Sequence, residues 1–382
     1  MTIYKSMKNK LNVLNVYKTY FPDPPGGLQE AIRQICFSTS LESIENTIFT
    51  LSPQPKPNYI KMSEGNVFRE KSWLAPASCD LGGISAFSNF SKLAKQADVL
   101  HYFFPWPFAD VLHNVLKPEK PAMLTYISDV VRQRFLGTAY IPLMWSMLRQ
   151  MKIIVANCPA YAETSPILSN PLIRDKVRII PLGINEDFYP KEGDQHIFNR
   201  IGISTSEPYF LFLGVLRYYK GIHTLISAAK LVNLRIVIAG SGPEEEKLKK
   251  QVEDLGAKNI IFAGQVSDKE KVSLIQKCKA LILPSHLRSE AYGMVLVEAS
   301  MMGKPMISCE IGTGTSFVNL HEETGLVVKP ENVDEMADAM RIFYNDNILT
   351  QKLGHNARSR YENMFSGKAL GKAYSAVYQE LL

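Results

Sequence analysis

Two successive series of short apolar runs, each run followed by a helical pattern, restrict this 382-residue chain more than any other feature. An apolar run of four to six residues between turn residues reads as a strand buried on both faces. Helices between such strands imply parallel sheets. The first series has a strand at 12–17, a Pro/Gly loop at 22–27 and a helix at 28–37. Strands near Ile48, Val99, Met123, Ile153 and Val177 follow, with helices between. The second series begins after Glu207, with strands at 209–213, 234–239, 259–262, 280–283 and 305–308 and helices from Gly221, Pro243 and Asp268. The expected fold is α/β: two doubly wound Rossmann-like domains, 1–190 and 191–367, with the polar stretch 185–207 as linker and a closing helix, 368–382, returning to the first. The length exceeds what one core usually organises. Sheets of this kind bind ligands beyond the carboxyl ends of their strands, so a central cleft with half a site from each domain is expected.

Composition narrows the partners. Apolar residues make up 46% of the chain, yet no stretch reaches the roughly 20 needed to span a bilayer, and no signal-type apolar block follows the N-terminus, which reads as cytoplasmic. The five cysteines, Cys36, Cys79, Cys158, Cys278 and Cys309, are scattered without metal-ligand spacing and suit reduced core thiols. Residues 1–190 carry 20 Lys and Arg against 15 Asp and Glu, whereas the rest carry 23 against 22. No dense basic run or nucleic-acid module accompanies that excess, so an anionic membrane surface or a phosphate-bearing acceptor fits it better than nucleic acid.

Glu290-Ala-Tyr-Gly-Met-Val-Leu-Val-Glu298 sets two carboxylates eight residues apart across a strand-to-helix junction. A loop carboxylate above a helix N-terminus can accept hydrogen bonds from sugar hydroxyls, and the free N–H groups of the helix favour a phosphate. A nucleotide sugar has both parts; the alternative is a pair of solvated helix glutamates. Adjacent Gly26 and Gly27 expose backbone N–H groups ahead of a helix, as a phosphate cradle or a plain turn. Gly214-Val-Leu-Arg217-Tyr-Tyr-Lys220-Gly221 places two cations at a strand end, to oppose a diphosphate or to sit in solvent. Gly240-Ser-Gly242-Pro packs a nucleobase or only starts a helix, and Ile311-Gly-Thr-Gly-Thr315 forms a site wall or a loop. Asp98-Val-Leu-His101-Tyr-Phe103 leads into an aromatic loop, where His101 is a catalyst or a satisfied structural residue. Ser128-Asp129-Val-Val-Arg132-Gln-Arg134 offers an acid and two bases to an acceptor, with surface ion pairing as the alternative. The segment 132–152 holds 14 uncharged residues between Arg134 and Arg149. It is too short to cross a membrane, and either lies on one or packs into the core.

Taken together and in this order, the glycine loop, the Asp-x-x-His strand end, Gly-x-x-Arg-x-x-Lys-Gly, Gly-Ser-Gly-Pro and Glu-x7-Glu resemble glycosyltransferase family 4, retaining enzymes of the GT-B fold, over nearly the whole chain. Val16-Tyr-Lys-Thr-Tyr-Phe-Pro-Asp, His101-Tyr-Phe-Phe-Pro-Trp-Pro, Ser128-Asp-Val-Val-Arg-Gln and Ile311-Gly-Thr-Gly-Thr resemble its bacterial O-antigen mannosyltransferase branch. The resemblance implies Glu290 on the donor-sugar hydroxyls, Lys220 and Arg217 on the diphosphate, and Glu298 on the ribose. It places Tyr292, Gly293, Met294 and Val295 near the phosphates, with Gly26 and Gly27 bordering donor and acceptor. It implies no metal and no cofactor beyond the nucleotide-sugar co-substrate, a lipid-linked oligosaccharide acceptor, and a place at the inner face of the cytoplasmic membrane. Val215 stands where many relatives have arginine, which weakens the role of Arg217. Phe103 stands where relatives commonly carry a second histidine that reaches the sugar 6-hydroxyl. An apolar ring there favours a 6-deoxy sugar of the perosamine, fucose or rhamnose type, because an unpaired buried hydroxyl costs about 1–3 kcal/mol. The competing activities are a nucleotide-sugar epimerase or hydrolase on the same architecture, or a binding protein that keeps the cleft without turnover.

Overall fold

The computed structural model describes residues 10–23, 27–74, 80–127 and 137–382. The chain forms two compact units, one of residues 1–182 with 367–382 and the other of 183–366. Residues 183–190, expected with the first domain, thus belong to the second.

The first unit carries β1 (Leu11–Val16), β2 (Ile44–Ser52), β3 (Tyr59–Lys61), β4 (Asn66–Leu74), β5 (Leu81–Gly82), β6 (Val99–Phe104), β7 (Ala122–Tyr126), β8 (Ile153–Ala156) and β9 (Val177–Ile179). They lie in the order β3-β4-β2-β1-β6-β7-β8-β9, with β5 beside β4. Every pairing is parallel except those of β3 and β5 with β4. Strand order reverses between β1 and β6, the switch point of a doubly wound sheet. All six residues of β6 and all five of β7 are buried, as the continuous apolar runs require.

The closing helix Gly367–Glu380 packs on the helix Gly27–Ser40. The two backbones meet so closely at Gly371 that a Cβ there would fall 2.4 Å from the Ser38 carbonyl oxygen, which only glycine permits. Tyr374 and Tyr378 on this helix are fully buried.

The second unit carries β10 (Phe210–Leu213), β11 (Ile236–Ala239), β12 (Ile260–Gly264), β13 (Ala280–Leu283), β14 (Met306–Cys309) and β15 (Gly325–Val328). Their order is β12-β11-β10-β13-β14-β15, all parallel. The order reverses between β10 and β13, where Phe210 lies beside Ala280. Helix starts are fixed locally. Ser267 and Glu270 form a reciprocal capping box for Asp268–Lys277, and the Asn332 side chain caps Val333–Asn345. The expected linker 185–207 instead holds a 3-10 turn, Glu186–Phe188, and the helix His196–Ile201.

Within the segment 132–152, residues 132–136 lie outside the described residues and Gly137–Gln150 form a helix, with Met144, Met147 and Leu148 buried and Ile141 exposed. Among the described residues, no helix is long and apolar enough to cross a membrane. Cys36, Cys158, Cys278 and Cys309 are buried and form no disulfide among the described residues, and Cys79 lies outside the described residues.

Candidate active site

The loops that leave β10 and β13 emerge side by side at the switch point of the second unit, because those two strands are neighbours. The β10 loop ends in a 3-10 turn, Tyr218–Lys220, closed by Gly221 in the left-handed region. That turn places the Lys220 ammonium directly on Glu290 Oε2. Ser285 Oγ donates to the same carboxylate oxygen at 3.1 Å, and Thr313 Oγ1 donates to the Glu290 carbonyl oxygen at 2.8 Å. Side chain and backbone of Glu290 are thus both held, and the side chains of Lys220 and Glu290 are 12% and 10% exposed, too little for a solvated pair. Burial alone would push the Lys220 pKa down; the charge and hydrogen bond of Glu290, with Tyr219, outweigh it and hold the pKa above the ordinary lysine value. A fixed carboxylate beside a fixed ammonium offers an acceptor for hydroxyls and a counter-charge for phosphate in one place.

Gly293 then turns the chain into the helix Met294–Met301 with φ +82°, and a Cβ there would lie 2.8 Å from Leu283 Cδ2. Among the described residues no side chain caps this helix, so the N–H groups of its first turn, including those of half-buried Met294 and Val295, remain an anion-seeking end. Tyr292 is buried and packs so closely under Gly314 that a Cβ on that glycine would meet its ring at 2.4 Å. One turn into the helix, Glu298 Oε1 accepts from Tyr189 Oη at 2.9 Å and from Lys271 Nζ at 2.8 Å. Lys271 is also held above its ordinary pKa, since the Glu298 and Asp268 carboxylates outweigh its burial.

Other expected positions fall around these. Arg217 caps the 3-10 turn from an exposed position and makes no ion pair among the described residues. Gly242 allows close approach to the β10 loop, since a Cβ there would lie 2.5 Å from the Leu216 carbonyl oxygen. Gly312 accepts a 2.7 Å bond from Arg288 Nη1 at its carbonyl oxygen. In the first unit Gly27 is exposed and opens the helix Gly27–Ser40. Gly26, Asp129 and Arg132 lie outside the described residues.

His101 corrects an expectation. Its Nδ1 lies 2.8 Å from Tyr378 Oη and its Nε2 2.7 Å from Thr125 Oγ1, and the side chain is fully buried. Burial pushes its pKa down to about 3, so it stays neutral, with both nitrogens committed to holding the closing helix against β7. This is the satisfied structural histidine, not a catalytic group. Phe103 is equally buried, with its ring 4.1 Å from the His101 ring and 6.5 Å from Tyr17.

Sequence reading brought out Glu290, Lys220, Glu298 and, within Ile311-Gly-Thr-Gly-Thr315, Thr313, but missed Ser285, Lys271 and Tyr189. Lys271 and Tyr189 stand alone in sequence, 27 and 109 residues from Glu298, and carry no signal. Ser285 was readable, since a hydroxyl directly after a buried strand is well placed to serve the loop carboxylate.

The comparisons with known proteins bear on the fold and the family. The family model for glycosyl transferases group 1 matches residues 194–360. The chain is 42% identical over 359 residues to the D-rhamnosyltransferase WbpZ of Pseudomonas aeruginosa, covering 93% of this chain and 92% of that one. It is 35% identical over 375 residues to the O-antigen chain mannosyltransferase C of Escherichia coli, covering 97% and 99%. Among solved structures, sucrose-phosphate synthase from Thermosynechococcus elongatus superposes with a TM-score of 0.79 at 19% identity, covering 97% of this chain and 99% of that one. Anabaena HepE in complex with UDP-glucose superposes with 0.77 at 16% identity, covering 97% and 100%. Two parallel doubly wound sheets with such neighbours define the GT-B architecture. The chain belongs to the group 1 glycosyltransferases.

Proposed function

We propose that this glycosyltransferase moves a mannose-configured sugar from a guanosine diphosphate sugar to a lipid-linked glycan in O-antigen synthesis, with retention of configuration. The observation that carries this reading is the buried Lys220–Glu290 pair beside the uncapped start of Met294–Met301. Glu290 accepts hydrogen bonds from donor-sugar hydroxyls. Lys220, Arg217 and the N–H groups of Met294 and Val295 stabilise the charge that develops on the departing diphosphate, so the transfer step needs no metal. Glu298, steadied by Lys271 and Tyr189, accepts from the ribose hydroxyls. The leaving phosphate takes the acceptor proton as the acceptor attacks from the same face, and no protein nucleophile is required. Gly26 and Gly27 border the donor phosphate and the acceptor, and Asp129 and Arg132 serve the acceptor side. The basic excess of residues 1–190 and the partly exposed apolar helix Gly137–Gln150 support a peripheral place at the inner membrane face.

The activities for which the two near relatives are named, D-rhamnosyl and mannosyl transfer, support the mannose configuration. A second reading, transfer of the 6-deoxy sugar, is favoured by Phe103, whose buried ring offers no hydrogen-bond partner to a 6-hydroxyl. Thermal shift with the guanosine diphosphate sugars of mannose and its 6-deoxy relatives, against uridine and thymidine diphosphate sugars, tests both. Stabilisation by a guanosine-linked sugar supports the proposal, and the sugar that wins decides the role of Phe103. Stabilisation only by uridine or thymidine compounds overturns the mannose assignment.

A further inference from the structure

We infer that His223, His286 and Glu331 form a binding site for a divalent transition-metal ion of the zinc class, with two imidazole ligands, one carboxylate ligand and an open fourth position. The residues come from three separate segments of the second unit. His223 is the second residue of the helix Ile222–Val232, His286 stands in the loop after β13, and Glu331 precedes the helix Val333–Asn345. One ligand atom from each lies within 4.8 Å of the others, and His223 Nε2 is 3.7 Å from Glu331 Oε1. A tetrahedral zinc site with bonds of about 2.1 Å sets its ligands roughly 3.4 Å apart. Exposed Glu331 and half-buried His223 can close that gap by side-chain rotation about a fixed His286.

A second, independent observation points to a ligand. His286 is 8% exposed, yet among the described residues neither of its ring nitrogens has a hydrogen-bond partner. Buried polar atoms are rarely left so, and a cation held by one nitrogen accounts for the vacancy. The ring is also oriented for the purpose: its backbone N–H donates to the Tyr219 carbonyl oxygen at 3.0 Å, and the Tyr218 ring meets its face edge-on at 4.8 Å. The same tyrosine stacks on His223 at 5.6 Å with 7° between the planes. Two imidazoles and a carboxylate suit zinc, and nickel or copper bind the same donors. A bound ion would tie together the turn before Ile222, the loop bearing Ser285 and Glu290, and the loop before Val333. It would touch none of the groups assigned to sugar transfer, and the inference stands apart from that assignment.

The test uses the tag-free full chain, stripped with a chelator, dialysed, and titrated with Zn2+ in competition with a chromogenic indicator. Co2+ is then titrated and followed by visible absorption. The expected result is one ion per chain, intense four-coordinate Co2+ bands, and affinity lowered at least about tenfold in His223→Gln and in Glu331→Gln. Both positions reach solvent, and circular dichroism confirms that the variants fold. His286→Gln should abolish binding, though His286 is buried and only the two other variants decide the matter if it misfolds. Failure to bind a stoichiometric ion, or an affinity unchanged in the His223→Gln Glu331→Gln double variant, overturns the inference and leaves an aromatic cluster around Tyr218.

Discussion

Glu290 and Lys220 are residue types that ordinarily sit in solvent, and what makes them a site is their joint burial. Removing one partner leaves the other charged and desolvated, which costs about 3–5 kcal/mol, whereas removing both spares that penalty. Lys220→Ala is therefore expected to lower stability in urea as well as turnover, while Lys220→Met with Glu290→Gln recovers much of the stability and none of the turnover. Glu290→Gln alone keeps a group for Ser285 to bond, and its turnover should fall about a hundredfold with the fold retained. Near-wild-type kcat in that variant would remove Glu290 from the site. Each half of the pair was legible in the sequence as part of a motif, but the pairing was not, because 70 residues separate them and only the adjacency of β10 and β13 joins them.

Asp110 makes a different prediction. It is 2% exposed, and burial pushes its pKa up to about 7 despite the hydroxyl that Tyr140 donates to it. The folded chain holds this proton more tightly than the unfolded one, so the contribution is present below pH 4 and is lost as pH rises through 7. The full change is on the order of 4 kcal/mol. The difference in urea stability between Asp110→Asn and the unaltered chain should therefore grow in favour of the variant from pH 5 to pH 8; a difference that does not change with pH would contradict the assignment.

At the scale of elements, the junction at Gly293 carries most of the site. Gly293→Ala must hold a Cβ at φ +82° against Leu283 and Leu296, at a cost of roughly 1–2 kcal/mol. It also re-aims the first N–H groups of Met294–Met301. Its KM for the donor should rise more than its melting temperature falls, and a donor KM unchanged within twofold would show that this helix end does not meet the phosphates. Asn332→Ala provides a control in the same unit, since loss of that cap costs about 1 kcal/mol at the helix Val333–Asn345, which carries none of the sugar-transfer groups. The buried parallel strands were readable because their apolar runs are continuous. β3 and β5 are three- and two-residue pieces, and β15 opens on glycine, so none of them shows a period long enough to recognise. The stretch 185–207 read as a linker for the same reason, because a six-residue helix spans less than two turns.

For the whole molecule, two doubly wound domains were evident from the double series of strands and helices, and the return of the last helix to the first was expected from its position after the second series. What it does there was not readable. Tyr374 and Tyr378 close over Thr125 and His101, and those partners lie 249 and 277 residues away. A chain ended at Ser366 is therefore expected to lose the folding transition of the first unit while the second unit still melts cooperatively. A single unaltered melting curve would refute this.

The chain enters the second unit at Leu182/Gly183 and leaves it at Ser366/Gly367, so that unit is an insertion within the first. During synthesis the order of completion is then the reverse of the order of emergence. The sheet of β1 to β9 leaves the ribosome first, yet it lacks its covering helix while the intervening segment is made. At ordinary elongation rates of about 5–20 residues per second, that is a wait of roughly 10–40 s. The inserted half can finish folding in that interval, while the half that emerged first stays incomplete until the helix Gly367–Glu380 follows.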